Sequence, residues 1–238
     1  MKLNEIVIGL RPRTHWEAAD LGVRLVQANL ASVWRCYLPV FLVVCLVAAG
    51  LSFAFIEYSP WLSVGVMFWL KPWLDRSILF ALSRAVFGKP SRFADLWRER
   101  NTVLFGDLVR TLTIARCSPW RGFTQPIGQL ERVSGAAHGK RVEQLARGQG
   151  GGAAALQFAF SHIEWILVMT PTLFLIMVMQ GIYSFSHDWQ GLELLLPYGL
   201  AVLCLEPFFV AGGFCMYLNR RIQIEAWDVE REFRRAFP

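Results

Sequence analysis

Six ionisable side chains stand in stretches that are otherwise apolar: Lys71, Asp75, Arg76, His162, Glu164 and Glu206. A charge at the centre of a membrane helix costs about 2.5–3.5 kcal/mol on insertion scales unless it is paired or hydrated. Side chains kept at that cost do one of two kinds of chemistry. They fix helix register as ion pairs, or they line a polar path for an ion, a proton or a small solute. Depth suggests which of them meet. Taken as a helix over 61–82, the second apolar segment carries Lys71 at its midpoint, with Asp75 and Arg76 about 6–8 Å further in. Glu206 lies beside the middle of a stretch over 192–218, and Glu164 and His162 lie inward of Thr170, near the middle of another. Two layers are therefore predicted. Lys71 meets Glu206 at mid-membrane, and Asp75, Arg76, His162 and Glu164 share a level nearer the cytoplasm.

Other chemistry finds little support. Gly135-Ala136-Ala137-His138-Gly139-Lys140-Arg141 only loosely follows a phosphate-binding loop. It is one residue short, Arg141 stands where a Mg²⁺-binding Ser or Thr belongs, and no strand precedes it. The four histidines lack metal-ligand spacing. Ser161 and His162 are adjacent in sequence, which is not the arrangement of nucleophile and base. The five cysteines form no C-x-x-C pair and read as small packing residues. An enzyme is not expected, and nothing calls for a cofactor or a metal.

The elements that would position these charges follow from composition. Of the 238 residues, 55% are hydrophobic and only 18% are charged, against about 25% charged in soluble domains. The 10 Trp and 18 Phe suit a lipid interface. The expected class is an all-α integral membrane protein, a single unit over 1–238. It would have about four transmembrane helices arranged as two hairpins (37–56 with 61–82, and 156–185 with 192–218), plus amphipathic interfacial and cytoplasmic helices. The net charge of +6 is first a topology signal. Five of the 24 Lys and Arg precede Tyr37, fourteen lie between Lys71 and Arg147, and five follow Leu218, leaving none in the turns 57–60 and 186–191. By the positive-inside rule both termini and the 88–152 loop are cytoplasmic, so the number of crossings is even and 61–82 supplies the fourth. Pro72 leaves that segment open to two readings: a full helix, or a half-span that bends along the surface. Membrane lipids are the expected partners of the basic face, and nucleic acid is not.

Local signals fill in the rest. Thr14-His15-Trp16-Glu17 fits a capping box opening an amphipathic helix over 14–35, with Trp16, Ala19, Val23, Val26, Leu30 and Val33 on one face. Ser91 is placed to cap a helix with Leu104, Phe105, Leu108, Leu112 and Ala115 on one face. Residues 117–139 read as irregular, with short helices around 129–133 and 140–147, and 148–152 reads as a flexible glycine joint. Ala211-Gly212-Gly213 offers close helix approach. A C-terminal amphipathic helix over 219–237 carries Ile222, Ala226, Val229, Phe233 and Phe237 as a partner-binding stripe, with Arg221 and Glu225 paired on its wet side.

Three stretches carry a family resemblance. They are Trp16-Glu17-Ala18-Ala19-Asp20-Leu21-Gly22, the run Lys71-Pro72-Trp73-Leu74-Asp75-Arg76 continuing through Leu82-Ser83-Arg84-Ala85-Val86-Phe87-Gly88, and Glu206-Pro207-Phe208-Phe209-Val210-Ala211-Gly212-Gly213-Phe214 running on to Asp228. The chain resembles a family of bacterial inner-membrane proteins with four spans and no established activity, often encoded near MoxR-type AAA+ ATPases and transglutaminase-like membrane proteins. The resemblance implies the bacterial inner membrane and an AAA+ ATPase-associated assembly. It names no catalytic residue. The expected role is a non-enzymatic scaffold or coupling subunit engaging a protein partner. The alternative is a small transporter or channel using the charges, as a homo-oligomer.

The topology has a direct check. Single cysteines placed at Ser59 or Asp188 in a Cys-free background should react with an impermeant thiol reagent in intact cells, and one at Gly150 should not. The reverse pattern would refute the assignment.

Overall fold

The structure, a computed structural model, describes residues 11–54, 61–106, 108–113, 118–133, 135–148, 150–183 and 192–225, which form helices and turns with no strand among them. The first helix, α1 (His15–Ala28), opens on the capping box: Thr14 Oγ1 accepts from the Glu17 amide, and Glu17 accepts from the Thr14 amide at 3.0 Å. These bonds from Thr14, backbone first, hold the exposed Glu17 carboxyl below its usual range. The helix does not run on to 35. It breaks at Asn29, whose side-chain amide donates to Leu25 O, and α2 (Leu30–Ala54) begins at once. The buried face is also turned from the expected one. Ala18, Gly22, Leu25 and Val26 are buried, while Trp16 is exposed.

Next come α3 (Leu62–Ala85) and a layer of short helices: α4 (Phe93–Arg98), α5 (Arg100–Val103), α6 (Leu108–Leu112), α7 (Arg121–Glu131) and α8 (Gly135–Ala146). The single helix expected after Ser91 is thus three pieces, and its N-cap is Arg92. Where irregular chain was expected, α7 forms with Phe123, Pro126 and Ile127 buried. The glycine joint is also displaced: Gly148 takes a positive φ of 75° as a turn, but Gly150–Gly152 are already the first turn of α9 (Gly150–Tyr183). The last helix among the described residues, α10 (Leu192–Glu225), runs past Leu218 without a break.

Among the described residues, three helices are long and apolar enough to cross a membrane, through Leu30–Leu51 in α2, Gly150–Val178 in α9 and Leu194–Glu225 in α10. At 24 residues, α3 is about 36 Å long, so its length suffices, but Lys71, Asp75, Arg76 and Arg84 set its composition apart. It passes through Pro72 as one helix. Outward faces of α2 and α9 expose Leu42, Leu46, Phe53, Trp165, Phe174 and Met177, an apolar surface suited to lipid.

Helix α10 is the hub. It packs against α1, α3, α7 and α9, and α2 packs on α3. Small residues permit this. A Cβ on Gly22 would come within 2.5 Å of the Ala211 backbone, and one on Gly213 within 2.4 Å of the Gly122 backbone. Gly212 meets Leu156 of α9. The Ala211-Gly212-Gly213 run therefore receives α1, α7 and α9 around one turn of α10. Asn219 then ties down the incoming chain, exchanging hydrogen bonds of 2.8 Å with the Arg13 amide and carbonyl.

Gly22→Ala and Gly213→Ala should each destabilise by about 1–3 kcal/mol through overpacking. Gly151→Ala, with nothing within 4 Å of the new methyl, should be neutral or stabilising. Thermal unfolding in detergent, followed by circular dichroism, separates the two groups.

Candidate functional site

Where α3, α7, α9 and α10 converge, five ionisable side chains form one buried network. Lys71 is central. Its Nζ donates to both Glu164 oxygens at 2.7 and 2.8 Å and lies 2.9 Å from Glu206 Oε2. The other Glu206 oxygen accepts from Arg121 Nη2 at 2.7 Å, and Arg121 Nε stands 3.4 Å from Asp75 Oδ2. Arg121, Asp75 and Glu206 are all but inaccessible to solvent, and Glu164 keeps 16% of its side-chain surface exposed.

Lys71 and Glu206 thus meet, but the two-layer arrangement does not hold. Glu164 joins the Lys71 level because α9 starts earlier than the hydropathy suggested; Glu164 is the central residue of Gly150–Val178. Arg76 turns away from the network, donating to Val103 O, Thr102 O and Thr111 Oγ1. His162 is exposed on the far side of α9, where its Nδ1–H donates to Phe158 O at 2.8 Å. Of the C-terminal stripe, Ile222 is buried, and Ala226, Val229, Phe233 and Phe237 lie outside the described residues.

Arg121 is the member that sequence reasoning missed. Its position in a basic loop counted it among the topology charges, and Pro126 hid the helix that carries it. Two signals were available. Trp120, Phe123, Ile127 and Leu130 follow helical steps, and three carboxylates in apolar stretches require more than one cation. Helix α7 packs on α10 and is tied to α3 by two side-chain amides, Gln125 donating to Pro72 O at 3.0 Å and Gln129 to Arg76 O at 2.9 Å. Its first turn presses on Phe209, whose ring lies 5.0 Å from the Arg121 guanidinium. Burial pushes the Arg121 pKa down, but Asp75 and then Glu206 and Glu164 outweigh it, and the group stands above its usual value as a permanent cation.

A second network holds the same layer at the other end of α7. Arg141 of α8 pairs with Glu131 at 2.7 Å and with Glu225, which Arg221 also holds at 2.6 Å; Tyr217 donates to Glu131 at 2.8 Å. The expected Arg221–Glu225 pair is therefore present, within a larger set. The hydrogen bond to Glu131 raises the Arg141 pKa above its ordinary value, against the lowering effect of burial.

A cleft of about 380 Å³ opens between α3 and α9 above the first network, walled by Trp61, Phe68, Trp165 and Val168 and reaching Ser161 and Glu164. No group of three or more metal-ligating side chains occurs among the described residues. Fold and site together define a protein whose described residues are helical, include three helices able to cross a membrane and surround a buried ion network. Comparison with known protein families, curated proteins and solved structures finds no match.

Removing one partner from a buried pair typically costs about 3–5 kcal/mol. Lys71→Met should lose folded, monodisperse protein on that scale, and Lys71→Met with Glu164→Gln should recover much of it by restoring the balance. Glu164→Gln alone should be milder, because water in the cleft reaches it. Gel-filtration yield from membranes checks all three.

Proposed function

We propose that the protein is a non-enzymatic, multi-pass scaffold or coupling subunit of the bacterial inner membrane, with α3 as a fourth crossing, two helical hairpins and both termini cytoplasmic. The observation that carries this reading is Arg121. A loop helix contributes the cation that neutralises carboxylates of α3 and α10, so the α4–α8 layer cannot shift without disturbing the bundle. Rigid attachment of that kind suits a protein that holds a cytoplasmic partner at the membrane or relays its movement. The family resemblance points to an AAA+ ATPase-associated assembly as the setting. Trp97 and Gln144, exposed on α4 and α8, offer contact positions. Photo-crosslinkers placed there in native membranes should join a distinct polypeptide, and Arg121→Gln should weaken that adduct in protein that still reaches the membrane. Adducts with lipid alone would refute the reading.

A small transporter or channel, working as a homo-oligomer, is the second reading. It is favoured by the cleft that runs from the lipid-facing surface to Glu164. Neutralising both Lys71 and Glu206 would then abolish flux in proteoliposomes, whereas a scaffold that still folds would keep its partner.

A further inference from the structure

The buried network does not balance. Three carboxylates, Asp75, Glu164 and Glu206, share two cations, Lys71 and Arg121. Glu164 and Glu206 each have a cation within 2.9 Å. Asp75 does not. It is fully buried, neither carboxyl oxygen accepts a hydrogen bond from a donor, and its cation contact is the 3.4 Å approach of Arg121 Nε. Arg121 brings the two carboxyls together: its Nη2 holds Glu206 at 2.7 Å while its Nε stands 3.4 Å from Asp75, so both flank one guanidinium. Two carboxylates side by side are both acceptors, and a bond between them forms only when one carries a proton. Away from water, two such groups cannot both ionise.

Among the described residues, Arg121 is the cation paired with Asp75. On its own helix Asp75 has Lys71, committed to the two glutamates, and Arg76, turned towards α5 and α6. From α7 comes Arg121, from α10 Glu206, and from α9 Glu164. Tyr37 of α2 donates its hydroxyl hydrogen to Val202 O at 3.2 Å and not to the carboxyl. Access to the network exists from one side. A void of about 10 Å³ touches Lys71, Arg121, Glu164 and Glu206, close to the space needed for one water molecule. Ser161 and Glu164 line both this void and the large cleft.

We propose that Asp75 and Glu206 form a proton-binding site, holding one shared proton that exchanges with water by way of Glu164 and the cleft between α3 and α9. Loading breaks one O–H bond of a hydronium ion in the cleft and makes one O–H bond on the carboxyl, and unloading reverses both. When the proton is bound, two cations face two carboxylates and the network is neutral. Its loss leaves one uncompensated negative charge where α7 is docked, so occupancy of the site is linked to the seating of α7.

Infrared spectroscopy of the full-length protein in lipid nanodiscs tests this. At neutral pH the wild type should show the carbonyl stretch of a protonated carboxylic acid, and the band should shift in D₂O. Asp75→Asn, the neutral isostere of the protonated acid, should abolish the band and keep the wild-type folded yield. Asp20→Asn, at an exposed position, should leave the band in place. In Glu164→Gln two carboxylates face two cations without any proton, so the band should weaken or vanish at neutral pH although Asp75 and Glu206 are intact. The proposal is overturned if the wild type lacks the band, if Asp75→Asn retains it, or if Asp75→Asn loses folded protein as Lys71→Met does, because that loss would mean an ionised Asp75 is needed. A band of this behaviour without any proteoliposome flux would refute transport and leave the proton site standing.

Discussion

Charge neutralisation inside a medium that solvates charge poorly governs this protein. Lys71, Arg121, Glu164 and Glu206 come from four different helices, and each is tolerable where it sits only because the others are there. The network therefore does more than join pairs. It sets the level of α3 against α9 and α10, and it requires α7 to enter the bundle end-first so that Arg121 can reach Glu206. A layer that composition would assign to the water phase is thereby anchored to the apolar helices at their midpoint.

Close backbone contact makes that convergence possible. Four carboxylate and cation partners cannot approach within 3 Å across helices held apart by large side chains. The Ala211-Gly212-Gly213 turn lies about one helical turn and a half beyond Glu206, and there α1 and α7 touch α10 nearly backbone to backbone. Size selection at the glycines and charge pairing above them work on the same helix. The Glu131–Arg141–Glu225 set then fixes the far end of α7, so the helix is held at both ends by ion pairs of different character. One is sealed from solvent, and the other is partly open to it.

Several features were readable along the chain. The capping box at Thr14 depends on residues three apart, and it forms as such spacing predicts. Uncharged runs of about twenty residues demand helices of membrane length, and Lys71 and Glu206 meet because both sit near the centres of their helices. Small-residue runs point to close approach, and Gly213 meets the Gly122 backbone, though nothing local named that partner. The errors share a cause. Helix boundaries at Asn29 and Gly150 were misjudged because hydropathy marks where lipid would begin and not where backbone hydrogen bonding starts or stops. That displaced the apparent middle of α9, and with it Glu164.

Composition and periodicity by themselves pointed to a membrane class, to the apolar helices and to the charges lying within them, because each follows from the transfer of a side chain or a short segment between water and lipid. Tertiary structure alone decided which charges share a site. Arg76 and Arg121 are chemically alike in sequence, one in an apolar helix and one in a basic loop, yet the first bonds carbonyls of α5 and the second completes the buried network. That exchange of roles depends on where α7 lies against α3 and α10, a relation between segments some fifty to eighty residues apart that no local pattern encodes.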